Sequence, residues 1–142
     1  TMTVSVIIPN TPPGNFNLSF GGSGSPSCNP NPSVPLTWTV SSGASEYEIY
    51  RKAPPAEPNW EDITTRNGSS KPYTKTNYVD NTVSQNTHYL YKVEAKNTSG
   101  ATTKSETDVI ADVPACSTPP PPPSPPASPT STLPGWKEII PR

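Results

Sequence analysis

Histidine occurs once in this chain, at His88, and cysteine twice, at Cys28 and Cys116. Two thiols with neither a second pair nor a cluster of imidazoles do not make a zinc ligand set, and neither thiol has an obvious base to activate it as a nucleophile. Charged residues are only 15% of the sequence, ten Lys and Arg against eleven Asp and Glu, with no basic block or stripe to track a phosphate backbone. Nucleic acid is therefore not an expected partner. No run of eighteen apolar residues exists, so no membrane span is expected. The opening TMTVSVIIPN lacks the charged start and apolar stretch of a signal peptide, so the chain as written reads as soluble and as mature or trimmed. Nucleophile elbow, P-loop and dinucleotide fingerprint are all missing. Glu61 and Asp62 are adjacent, which in a strand puts them on opposite faces, where they cannot easily flank a glycosidic bond. The chain reads as a non-enzyme, with no cofactor and no metal.

What is abundant is Thr, Ser, Asn and Pro, the last 22 times, while Leu is scarce; this usage suits short strands and turns. A Pro-rich stretch cannot belong to a core, which leaves room for one domain of roughly 100 residues. Between Asn15 and Pro114 the sequence shows seven short runs of period two: NFNLSF, VPLTWTV, EYEIYRK, NWEDITT, NYVD, THYLYKVEAKN and TDVIADV. Leu36, Trp38 and Val40 are expected on one face of the second run, Tyr47 and Ile49 on one face of the third. In the sixth, Tyr89, Tyr91, Val93 and Ala95 alternate with Leu90, Lys92, Glu94 and Lys96. Glu106, Asp108 and Asp112 would share a solvated acidic edge of the last. Seven strands with this alternation argue for an all-β, two-layer sandwich.

The stretch NYVDNTVSQNTHYLYKVEAKNTSG resembles the E-to-F region of bacterial fibronectin type III domains. Tyr78, Asp80, Tyr89, Tyr91, Val93, Ala95, Asn97 and Gly100 fall on that pattern in register, and PLTWTVSSGASEYEIYRK is similar to the B and C strands, with Trp38 at the core Trp position. The resemblance covers about residues 15–114. It implies a seven-stranded fibronectin type III or immunoglobulin-like sandwich that carries no chemistry of its own and is commonly extracellular. It also implies a core of Trp38, Tyr47, Ile49, Tyr89, Tyr91 and Val93. Tyr89 would be the tyrosine-corner residue, with an exposed ligand-binding ring as the alternative. In that topology Cys28 lies where the last strand ends, so a Cys28–Cys116 disulfide is implied, and with it an oxidising compartment, extracellular or at the cell surface. Two free buried thiols are the competing state.

Outside residues 11–116 the chain departs from the family pattern. Thr1–Asn10 alternates Met2, Val4, Val6 and Ile8 against Thr1, Thr3, Ser5 and Ile7, an extra strand that could join this domain, close a preceding one or pair with another subunit. Residues 117–134 should be a polyproline II spacer, which at about 3.1 Å per residue reaches roughly 55 Å. Residues 135–142 follow as a docking peptide whose Trp136, Ile139 and Ile140 offer an apolar contact with nowhere local to bury it. A fragment of a further domain is the plainer alternative. Asn17, Asn67 and Asn97 each begin an N-glycosylation sequon, and Ser and Thr among the tail prolines could carry O-linked sugar. Three functions compete: a structural subunit of a surface filament, homo-oligomeric through its arms; a spacer of a larger secreted enzyme or adhesin; and a carbohydrate-binding module using Tyr50, Trp60 and Tyr73.

Overall fold

A computed structural model describes residues 1–5, 10–22 and 24–128. Nine strands lie among them: β1 (Leu18–Phe20), β2 (Ser27–Cys28), β3 (Pro32–Trp38), β4 (Glu46–Ala53), β5 (Glu57–Asp62), β6 (Asn77–Asp80), β7 (Thr87–Lys96), β8 (Thr102–Lys104) and β9 (Val109–Val113). One sheet is built on β3, which pairs with β1, β2 and β6. The other runs β5-β4-β7, with β8 and β9 on successive stretches of β7. All pairings are antiparallel.

The two sheets form a sandwich because period two gives each strand one apolar face. Val34, Leu36 and Trp38 of β3 face Tyr47 and Ile49 of β4, Tyr89, Tyr91, Val93 and Ala95 of β7, and Val109, Ala111 and Val113 of β9, all within one buried cluster. Five of its members are tyrosines, and their hydroxyls are partnered. Ser41 N–H donates to Tyr47 (3.0 Å), Tyr78 donates to the Ile63 carbonyl (2.5 Å), and Tyr73 donates to the Asn77 carbonyl. Ser84 N–H donates to Tyr89 (2.9 Å), and Tyr91 donates to Asp80 (2.8 Å). A polar tip with a partner lets a large ring be buried without an unsatisfied oxygen.

The seven sandwich strands appear as nine because the outermost two are each interrupted. After β1 the chain leaves β3 and returns to it as β2; Gly21 stays close enough that an added Cβ would meet the Leu36 carbonyl oxygen at 3.2 Å. Between β8 and β9, Ser105 turns inward, its amide donating to the Val93 carbonyl (2.8 Å) and its hydroxyl accepting from Val93 N–H (3.2 Å). Glu106 N–H donates instead to the Phe16 carbonyl (3.1 Å). Glu106 and Asp108 thus precede β9 rather than sharing an acidic edge with Asp112.

Two further expectations are corrected. Val40 lies beyond β3 and is 75% exposed, because the strand ends at Trp38 and the chain turns at Ser41 toward β4. β5 stops at Asp62; Thr64 turns in and its hydroxyl accepts from Ile49 N–H (2.9 Å), a side chain taking the place of a ladder carbonyl. The described residues 1–5 form no strand, and Met2 is 98% and Val4 80% exposed. Val6, Ile8, Trp136, Ile139 and Ile140 lie outside the described residues.

Candidate functional site

The chain enters the sandwich at one pole and leaves at the other. At the entry pole, Asn97 Nδ2 donates to the Thr11 carbonyl (2.7 Å), and Ser99 Oγ to Asn10 Oδ1 (2.6 Å). Thr103 Oγ1 donates to the Pro13 carbonyl (2.5 Å), and Gly14 N–H to the Ser42 carbonyl (2.8 Å). The β7–β8 turn and the β3–β4 loop therefore grip residues 10–14. At the exit pole Cys28 and Cys116 are joined by a disulfide with a Cα–Cα distance of 4.7 Å across 88 residues of sequence. The Cys116 amide donates to Gln85 Oε1 (2.8 Å), which ties the same point to the β6–β7 loop. From Ser117 to Ser128 the chain is exposed and forms neither strand nor helix.

Inside, Arg51 of β4 sits on the core face, where alternation places it with Tyr47 and Ile49. Its guanidinium meets Asp80 of β6 at 2.9 Å and the Thr82 hydroxyl at 3.1 Å, and lies 5.0 Å from the Tyr89 ring centroid. Asp80 also accepts from Tyr91 (2.8 Å) and from the Thr82 amide and hydroxyl (2.9 and 2.7 Å). Burial opposes the charge on Arg51, but Asp80 outweighs it and holds the guanidinium above its usual value. The same burial, with Asp80 nearby, pushes the Tyr91 phenol far up. This arrangement explains why the tyrosines and Asp80 of the resembled pattern belong together: each sheet supplies one charge to a shared buried network, in which the buried Arg51 Nε is left without a partner. Reading the sequence missed Arg51, although its spacing of two and four from Ile49 and Tyr47 carried the signal.

The outer face of the β5-β4-β7 sheet brings together residues that no local pattern aligns. Tyr50 faces Lys92 across β4 and β7, and Asp62 across β4 and β5. Lys92 Nζ lies 4.9 Å from the Tyr50 centroid and 5.1 Å from that of Trp60, while Lys52 Nζ lies 4.7 Å from Trp60. Each ring thus carries an ammonium group against it. Tyr73, the third ring proposed for sugar binding, is buried against Trp38 and Tyr78. Beside this cluster Glu48 accepts from Lys71 (2.8 Å), Lys96 (2.7 Å) and Tyr50 (2.6 Å), and Lys71 also pairs with Asp62 at 2.5 Å. Partial burial would raise the Glu48 carboxyl, yet these three donors bring it down to about 2. Glu48, Asp62, Lys71 and Lys96 on this face thus satisfy one another's charge.

The remaining candidates have structural partners. His88 Nδ1 and Asp112 Oδ1 lie 2.5 Å apart on the exposed side of β7 and β9. Asn67 Nδ2 donates to the Val79 carbonyl (3.1 Å), and Asn97 Oδ1 accepts from Ser99 N–H (3.1 Å) and Ala101 N–H (2.9 Å), so two of the three sequon amides are committed to turns. The Asn17 side chain is exposed. Among the described residues no group of three or more His, Cys, Asp or Glu is placed to hold a metal ion, and no helix is long and apolar enough to cross a membrane.

No family model matches the chain, and no curated protein matches it. Solved structures do. The fourth FNIII domain of a human protein is 18% identical, with 82% of this chain and 93% of that one covered and a TM-score of 0.54. The twitchin kinase region of C. elegans is 14% identical, with 73% of this chain and 17% of that one covered and a TM-score of 0.50. An Fn3-like protein from Clostridium thermocellum is 25% identical, with 75% and 95% covered and a TM-score of 0.47. The domain has the fibronectin type III fold. Its disulfide is compatible with an oxidising, extracellular setting.

Proposed function

We propose that this chain is a non-enzymatic extracellular structural module, a subunit of a cell-surface assembly whose two arms contact neighbouring subunits. The observation that carries this reading is the placement of the arms: residues 10–14 are gripped at one pole, and the Pro-rich stretch departs from a disulfide at the other. A module entered and left at opposite poles transmits position along a line. The mutual pairing of Glu48, Asp62, Lys71 and Lys96 on the outer face supports a scaffold over a ligand site. The exposed Met2 and Val4 support an arm that finds its strand partner in another sheet, because a row of alternating apolar residues left in water is a template for edge pairing. Trp136, Ile139 and Ile140 are the proposed anchor of the other arm, carried on the proline stem to an apolar site of a neighbour. Such a heterologous contact propagates into a fibre unless it closes a ring.

Deleting residues 135–142, or the substitution Trp136→Ala, should weaken or abolish assembly seen by sedimentation and electron microscopy while thermal unfolding of the domain hardly changes. Normal polymerisation of the truncated chain, or a wild-type chain that stays monomeric at high concentration in its native setting, would return the Pro-rich stretch to a plain linker. The second reading, a spacer within a larger secreted protein, is favoured by the twitchin region, where the Fn3 module shares a chain with a kinase and an Ig module. A catalytic or adhesive domain in the same reading frame decides for it.

A further inference from the structure

The position of the disulfide within the line between the two arms matters as much as its existence. Pulled apart at residues 10 and 117, the chain offers two routes. One runs along the backbone through every strand. The other runs from Thr11 through β1 and β2 to Cys28 and crosses directly to Cys116, where the Pro-rich stretch departs. The second is far shorter, and covalent.

We infer that tension between the two arms is carried by residues 11–28 and the Cys28–Cys116 bond, so that β3 to β9 are shielded from extension. This rests on the reading of the chain as a module held at both arms. The loaded segment lies along the force. β1 pairs with β3 through Leu18 and Trp38 to Phe20 and Leu36, and β2 pairs with the other end of β3 through Cys28 and Pro32. Entry at the pole of Asn97 and exit at the pole of Gln85 place the pull parallel to these strands, so their cross-strand bonds are loaded together rather than one at a time. Around them, Asn17 N–H donates to Thr39 Oγ1 (3.0 Å), Thr39 N–H to the Asn17 carbonyl (3.0 Å), and Glu106 N–H to the Phe16 carbonyl (3.1 Å). These connect the loaded segment to both sheets. Even if all of them fail, the disulfide limits what can be drawn out.

Single-molecule stretching of the full chain between handles at its two ends tests the inference. An oxidised molecule should release at most the Thr11–Cys28 segment, roughly 6 nm at about 3.5 Å per residue. An added dithiol, oxidised to its cyclic disulfide as it leaves two thiols on the protein, should lengthen the unfolding step by roughly 30 nm, the extended length of the enclosed 88 residues. Cys116→Ser should give the long step without reductant; should that variant fail to fold, reduction of the wild-type chain already held under load still decides. A full-length step from oxidised molecules, or a step that reduction does not change, would overturn the inference. An oxidised short step from a chain that never assembles would leave the load path standing and count against the subunit reading instead.

Discussion

Arg51 and Asp80, one from each sheet, meet at 2.9 Å in the interior with side chains 4% and 0% exposed. The pair joins the sheets at a point where burial alone would penalise both charges. The accompanying bonds are what allow it: Thr82 donates twice to Oδ1, which the guanidinium leaves free, and Tyr91 shares Oδ2 with it.

Removing one partner should therefore cost more than removing both. Asp80→Ala strands a guanidinium in the core and should destabilise the domain by about 3 to 5 kcal/mol, whereas Arg51→Met with Asp80→Leu should recover much of the loss. Urea denaturation of the two variants checks this. A double variant no more stable than the single one would show that Thr82 and Tyr91, rather than the charge pair, hold this part of the core.

Glu48 makes stability depend on acid. Its carboxyl is lowered from an ordinary value of 4.5 to about 2, so folding gains from its ionisation. A depressed carboxylate contributes fully above the unfolded value and loses that contribution as pH falls through the folded one. The window is thus from about 4.5 down to about 2, and the loss on the order of 2 kcal/mol after allowance for the half-exposed Lys71. Denaturation midpoints measured across this range should fall for the wild type, and Glu48→Gln should flatten the part of the fall that belongs to this site. An equal slope in both proteins would move the acid sensitivity elsewhere, with Asp62, also lowered by Lys71 and Thr64 against its burial, as the next group to test.

How far the sequence alone carries can be read from particular segments. β3, β4 and β7 announce themselves because alternation over seven or more residues has only one structural explanation, and Tyr78, Asp80, Tyr89 and Tyr91 carry the spacing of a known fold. β2 and β8 do not, because two or three residues are too few to show a period; their strand character comes from the neighbour they pair with. Val40 misleads for the opposite reason: it keeps the alternation after the strand has ended. The Tyr50, Lys92 and Trp60 cluster depends on two cross-strand registers, which no local pattern specifies. Tyr73 sits alone among turn residues, and only its bridge to Tyr47 shows why it is buried.

Tyr89 accepts a hydrogen bond from Ser84 N–H five residues back, at 2.9 Å, which pins the β6–β7 loop to the start of β7. Tyr89→Phe keeps the ring against Arg51 and removes only the acceptor, so it should cost about 1 kcal/mol. Amide exchange should speed up at Ser84 and its neighbours while the rest of β7 remains protected. A loss well above that figure would mean that the hydroxyl supports more than this one amide.

The disulfide should also raise equilibrium stability. Closing a loop of 88 residues restricts the unfolded chain, and the chain-entropy treatment puts this at about 4 to 5 kcal/mol. Denaturation with and without reductant, on protein from an oxidising compartment, gives the difference directly. Two free thiols in protein from its native source would remove the compartment argument along with the stabilisation.

Asn97 offers a separate test of the entry pole. Its Oδ1 accepts from the Ser99 and Ala101 amides, which shapes a turn that Gly100 completes at a φ of 86°, and its Nδ2 reaches the Thr11 carbonyl. One side chain thus holds a turn of the sandwich and the segment that leads into it. The two tasks can be separated, because Asn97→Asp keeps both acceptor bonds but sets a carboxylate oxygen against the Thr11 carbonyl. That variant should leave the turn intact and release residues 10–14, seen as faster exchange of the Gly14 amide, with a stability loss of about 1 kcal/mol. Asn97→Ala removes both and should lose about twice as much, with exchange accelerating at Ser99 and Ala101 as well. If the Asp variant holds residues 10–14 as firmly as the wild type, the grip belongs to Thr103 on Pro13 and Ser41 on Gly14, and Asn97 serves its turn alone.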